Sequence, residues 1–122
     1  MLSTAPIMPQ LTIRPIQEQD WPAILALQAE AYYAVEPESE AVLKSKTTLG
    51  PETCLVACRG AQILGYCLAH PWDAGQPAAL YRCYPQPTGE ESLYIHDVVV
   101  SPAAQGLGIA RRFVEQTLNC AR

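Results

Sequence analysis

The chain of 122 residues has no uninterrupted apolar run longer than a few residues, far short of the roughly 18 that cross a bilayer. Its N-terminus lacks a basic stretch followed by an apolar core, so neither a membrane span nor a secretory leader is expected and the reading is cytoplasmic. No Lys/Arg cluster exceeds Arg111-Arg112, and the formal net charge is −4 with a pI near 5.0. Without a basic stripe there is no footprint for a phosphate backbone, which argues against a nucleic-acid partner. The five cysteines, Cys54, Cys58, Cys67, Cys83 and Cys120, are odd in number and contain no C-x-x-C pair, against both a disulfide framework and a zinc site. His70 and His96 are the only histidines, so no metal is expected and the cysteines read as reduced, space-filling side chains.

Apolar residues make up 49% and charged residues 16%, a globular composition that at this length implies one domain over residues 1–122. Residues 1–10 read as a loose leader. Leu11-Thr-Ile-Arg-Pro15 alternates as a short strand. Asp20 stands as an N-cap before Trp21-Pro22, opening a helix whose apolar positions Ile24, Leu27, Ala31 and Val35 recur at helical spacing with Gln28 as the exception. Pro37 breaks that helix. Ser39 caps a second one through Val42 and Leu43 toward Gly50-Pro51. Residues 53–58 and 62–70 are two strands paired antiparallel through Arg59-Gly60-Ala61. Residues 71–90 carry four prolines and little periodicity and read as a long loop whose Trp72, Tyr81 and Tyr84 either line a substrate pocket or pin the loop down. Residues 93–100 form a fourth strand, apolar on both faces. Residues 106–122 form a final helix, with Leu107, Ala110, Phe113, Val114, Leu118 and Ala121 along the packed stripe.

The junction between that strand and helix carries the chemistry. Amides in the first turn of a helix have no intrahelical partners and sit at the positive end of its dipole, so they can grip a phosphate. Gly106 and Gly108 bare the backbone there. A nucleotide P-loop needs Gly-Lys-Ser/Thr, whereas this chain has Gly108-Ile-Ala110. A dinucleotide site needs a third glycine and an acidic residue some twenty positions on, and neither is present. The plainer alternative is a strand-to-helix turn that uses glycine for geometry alone.

Gln105-Gly-Leu-Gly108-Ile-Ala110, preceded by Val-x-Val and Ser101-Pro102, resembles the Gln/Arg-x-x-Gly-x-Gly/Ala signature of the GCN5-related N-acetyltransferase (GNAT) family. Ile13-Arg-Pro-Ile-Gln-Glu-Gln-Asp20 is similar to that family's first strand and first helix cap. The resemblance implies an α/β (α+β) fold of the acyl-CoA N-acyltransferase type: a mixed, mostly antiparallel central sheet with helices on both faces, in the order β-α-α-β-β-β-α, with the family's last strands missing. It implies acetyl-CoA as cosubstrate, held at the pyrophosphate by Gln105, Gly106, Leu107, Gly108, Ile109, Ala110 and Arg111 and along pantetheine by the main chain of Val98, Val99 and Val100. A strand-four amide near Val99 would polarise the thioester carbonyl.

The family's fifth strand does not follow Arg122, so the chain is expected to be a fragment or to associate, in the second case as a homo-oligomer through its unpaired fourth strand. His96 is the candidate base, with Tyr94 on its face by alternation; Asp97 points the other way unless a bulge intervenes. His70 is a second candidate. Tyr32, Tyr33, Glu36 and Trp72 would border the acceptor, a small-molecule or peptide amine. Glu30, Glu36, Glu38 and Glu40 otherwise read as solvated or capping charges. The expected activity is transfer of acetyl from acetyl-CoA to a primary amine by direct attack; the rival is a noncatalytic domain that binds CoA or serves protein association.

Overall fold

The computed structural model describes residues 10–32, 34, 37–73 and 91–121, with main chain only at 71–73, 91–94 and 120–121. Four strands, β1 (Leu11–Pro15), β2 (Cys54–Arg59), β3 (Gln62–Asp73) and β4 (Glu91–Val100), form one antiparallel sheet in the order β1-β2-β3-β4. Helices α1 (Trp21–Ala31) and α2 (Glu40–Leu49) lie between β1 and β2 in sequence, and α3 (Ile109–Ala121) follows β4. This is the element order read from the sequence, and every described strand pair is antiparallel. No described helix is long and apolar enough to cross a membrane.

Strand alternation sorts the core into two layers. Cys54, Val56, Tyr66, Leu68 and Val99 pack with Trp21, Ile24, Leu27 and Leu43 from α1 and α2. Leu55, Ala57, Cys67 and Ala69 pack on the other face with Ala104, Ile109 and Phe113 from the α3 region. Burial pushes the Cys54 and Cys67 thiols up to about 12, which leaves both protonated near neutral pH.

Local chemistry revises several boundaries. Asp20 does not cap α1 with its side chain; it ends a 3-10 turn (Glu18–Asp20) that runs straight into the helix. Its carboxylate instead accepts from the Gln17 amide at 2.7 Å and from Arg14 at 2.7 and 2.9 Å. Helix α1 stops at Ala31, which is exposed, before Pro37 is reached, and Val35 lies outside the described residues. Ser39 caps α2 as expected, its Oγ accepting from the Val42 amide at 3.2 Å. Residues 71–73, expected in the loop, continue β3 opposite residues 91–93. Pro71 is tolerated because β2 ends at the Cys54–Leu68 pair, so no ladder bond is needed on that side of β3. Residues 74–90, including Tyr81 and Tyr84, lie outside the described residues.

Helix α3 begins at Ile109, after a 3-10 turn (Pro102–Ala104) and the Gln105–Gly108 link. Its packed stripe is Ile109, Phe113 and Thr117, spaced by four. Leu107, Ala110, Val114 and Leu118, expected inside, are exposed. The helix docks through the row one position nearer its N-terminus, roughly 100° round the axis from Ala110, Val114 and Leu118.

Candidate functional site

Gly106 and Gly108 hold φ of +91° and +74°, backbone that side chains with a Cβ resist. They let the chain leave the Pro102–Ala104 turn and re-enter as α3, whose first helical bond runs from the Arg112 amide to the Gly108 carbonyl at 3.1 Å. The amides of Ile109, Ala110 and Arg111 precede that bond and aim from the helix end. A Cβ placed on either glycine meets nothing within 4 Å, so the backbone faces open space.

That space is a groove of about 600 Å³ lined by Val98, Val100, Ala104, Gln105, Gly106, Gly108, Ile109, Ala110 and Arg111. Two residues expected there do not line it. Leu107 points to solvent, 45% exposed, and Val99 is buried on the opposite face of the sheet against α1. Ala104 lines the groove without having been singled out by the signature, because the 3-10 turn folds it beneath α3.

Pairing also distributes the β4 main chain. The Ser101 amide donates to the Leu64 carbonyl at 2.7 Å, and Val99 faces Tyr66 in register. Antiparallel bonding alternates, so the polar groups of Val99 turn toward β3 while those of Val98 and Val100 lie along the outer edge. The Val99 carbonyl indeed stands 2.8 Å from where a Gly65 Cβ would be. An amide offered to a ligand beside β4 is therefore that of Val98 or Val100.

On the α1–α2 face, β4 carries a bulge. Leu68 pairs with Asp97 and Ala69 with Ile95, so His96 is the extra residue. His96 and Asp97 consequently reach the same side. His96 Nε2 lies 2.9 Å from Glu38 Oε1 with both side chains nearly buried. Asp97 accepts from the Tyr32 hydroxyl at 2.6 Å and from the Tyr66 hydroxyl at 2.7 Å. Burial and the Asp97 carboxylate push the Tyr32 phenol up to about 12 and raise Tyr66 well beyond the ordinary phenol range. The His70 ring centroid stands 6.3 Å from that of His96, and His70 pairs across the ladder with Tyr94.

Glu38 corrects the sequence reading of a solvated or capping charge: it is 8% exposed. The Gln28 carboxamide donates to its carbonyl at 3.0 Å and accepts from its amide at 3.1 Å, drawing the α1–α2 connection over the sheet. The signal was the single amide in an otherwise apolar helix stripe; nothing in the local sequence marked Glu38. Tyr33 and Glu36 lie outside the described residues, and Trp72 sits in β3 rather than in a loop. Among the described residues no three of His, Cys, Asp and Glu gather as metal ligands.

Chains of known structure share this architecture. Naa20 of Chaetomium thermophilum, solved in complex with a bisubstrate analogue, superposes with a TM-score of 0.66 at 24% identity over 90% of this chain, which spans 55% of that protein. A GNAT family acetyltransferase of Brucella melitensis, solved with acetyl-CoA, gives 0.63 at 21% identity, covering 90% of this chain and 67% of the other. A Corynebacterium glutamicum protein, histone acetyltransferase HPA2 and related acetyltransferase, gives 0.56 at 21% identity over 95% and 73%. At such identities the likeness establishes the fold. A sequence comparison with curated proteins finds no match. Residues 21–122 match the acetyltransferase (GNAT) family, and with the glycine turn, the groove and the shared fold they place this chain in the GNAT acetyltransferase family.

Proposed function

We propose that this protein transfers an acetyl group from acetyl-CoA to a primary amine by direct attack, without a covalent enzyme intermediate. The observation that carries the reading is the groove at the start of α3, lined by two positive-φ glycines and the outer edge of β4. It fits a pyrophosphate followed by an extended amide-bearing arm: the amides of Ile109, Ala110 and Arg111 with Gln105 hold the former. The Arg111 guanidinium, paired with Glu115 at 2.9 Å on the surface, can swing to the anion at small cost. The edge amides of Val98 and Val100 receive the arm and the thioester oxygen.

Acetyl-CoA supplies an activated acyl group, and the chain must deprotonate the amine and steady the negative charge that develops on the carbonyl oxygen. An ionised carboxylate only accepts, so opposite Glu38 the His96 Nε2 carries the hydrogen and the neutral ring holds its lone pair on Nδ1. His96 takes the proton of the ammonium through water, since its side chain is 3% exposed. Tyr94 remains a candidate from its place in β4. Tyr32, at the end of α1, borders the acceptor with Tyr33, Glu36 and Trp72. The acidic groups Glu38 and Asp97 suit a cationic amine.

Calorimetry with acetyl-CoA on the purified chain tests the reading. Binding is expected, weakened at least tenfold by Gly108→Val, and thiol release should accompany addition of an amine. Absence of any heat of binding overturns it.

A further inference from the structure

We infer that Gln28 is a positioning residue, which orients the Glu38 carboxylate and through it fixes the tautomer of His96. This rests on the reading of His96 as the base only for its catalytic consequence; the geometry itself is independent of that reading.

Gln28 is 3% exposed and lies on the α1 face that packs against the sheet, beside Ile24 and Leu27. Desolvating a carboxamide there costs free energy that an apolar side chain of similar volume would not incur, unless both of its polar atoms find partners. Both do, and both partners belong to one residue. Nε2 donates to the Glu38 carbonyl and Oε1 accepts from the Glu38 amide, so the side chain acts as a one-residue strand neighbour. The connection around Glu38 has no helix or ladder of its own at residues 37–39, and this bracket is what sets the direction of its Cα–Cβ bond. From that anchor the Glu38 carboxylate reaches His96 Nε2 at 2.9 Å.

The same bracket spans the fold. It ties α1 to the segment leading into α2, and Glu38 ties that segment to the β4 bulge. Apart from Glu38, the ring facing His96 is His70, at 6.3 Å between centroids. A purely packing role would be filled by leucine or methionine at position 28, which would bury comparable apolar area without a carboxamide.

The chain has two histidines, so nitrogen-15 correlation spectra resolve His96 cleanly at fixed neutral pH, with His96→Gln assigning its signals. The wild type is expected to show the Nε2–H tautomer. Gln28→Met should give a mixed tautomer population, as should Glu38→Gln, and the double variant should add nothing further. Gln28→Asn, one methylene too short to reach both groups, repeats the test should methionine perturb folding. Turnover, measured as thiol release with spermidine and with a short peptide amine, should fall about tenfold in Gln28→Met, a fraction of the loss expected on deleting a general base. That loss should disappear in the Glu38→Gln background, and the affinity for acetyl-CoA should not move.

A folded Gln28→Met protein whose His96 tautomer matches the wild type overturns the inference, as does a turnover loss of full size in the Glu38→Gln background. A wild type that shows the expected tautomer response yet releases no thiol with either amine counts against the catalytic reading while leaving the positioning role standing.

Discussion

Asp97 receives two phenolic hydrogens, one from the exposed end of α1 and one from the middle of β3. Both phenols bind their protons more tightly in the folded chain than when solvated. The linkage follows from the sign. Their contribution to stability is complete below the ordinary value of 10.0 and is lost as pH rises toward the raised value of about 12. Tyr66→Phe should cost about 1–2 kcal/mol and flatten the alkaline fall in stability, as read from denaturant midpoints alongside phenolate absorbance. The Arg14–Asp20 pair works at the other end of the scale. Burial alone would lift the Asp20 carboxyl, but hydrogen bonds from Arg14 and the Gln17 amide outweigh it and hold its pKa below 3.8. Its stabilisation is therefore present above that value and is lost as pH falls through the lowered one. Arg14→Met should cost about 2–3 kcal/mol near neutral pH, below the full range for a broken buried pair because Arg14 is partly solvated and the Gln17 amide remains. Denaturant midpoints followed down the acid limb should show the two proteins converging.

At the scale of elements, the turn before α3 and the helix itself make separable demands. Gly108→Ala strains a φ of +74° without meeting a neighbour, so about 1–2 kcal/mol of stability should be lost. Phe113→Ala empties a fully buried position and should cost about 3–5 kcal/mol, whereas Leu118→Ala, half exposed, should stay within about 0.5 kcal/mol. Melting curves of the two variants distinguish the observed stripe from the one periodicity suggested. The order of elements, the Gly60 hairpin, the Ser39 cap and the Gln105–Ala110 turn were legible because each is written in local chemistry: a period, a capping hydroxyl, a pair of bare glycines. The α3 stripe differs because two neighbouring rows, Ile109-Phe113-Thr117 and Ala110-Val114-Leu118, both satisfy the helical period, and the row that docks includes Thr117, whose hydroxyl donates to the Val114 carbonyl at 2.9 Å. Glu38 could not be read at all. Its burial follows from contacts with Gln28, ten positions away, and His96, fifty-eight away. That the polar groups of Val99, named together with those of Val98 and Val100, turn toward β3 and away from the strand edge likewise depends on register, which single-strand alternation does not specify.

The chain carries a formal net charge of −4, so on the proposed reading acetyl-CoA gains nothing from the global field and depends on local groups at the start of α3. Acetyl-CoA at a hundred times its dissociation constant should then stabilise the chain by about 2.7 kcal/mol, and a thermal shift measures it. Arg111→Gln should reduce that shift and soften its dependence on salt. The antiparallel sheet joins both faces of this response, since groove residues Val98 and Val100 alternate with Val99, whose side chain lies against α1. The extra residue in β4 has a consequence for how such a protein tolerates change. Substitutions at position 96 alter chemistry in place, whereas deleting that position should straighten the strand and leave the facing of its other residues unchanged. The ladder would close into unbroken register, Asp97 would still face Leu68 and Ile95 would still face Ala69, and the strand would lose only the second group that the bulge holds on the α1–α2 side.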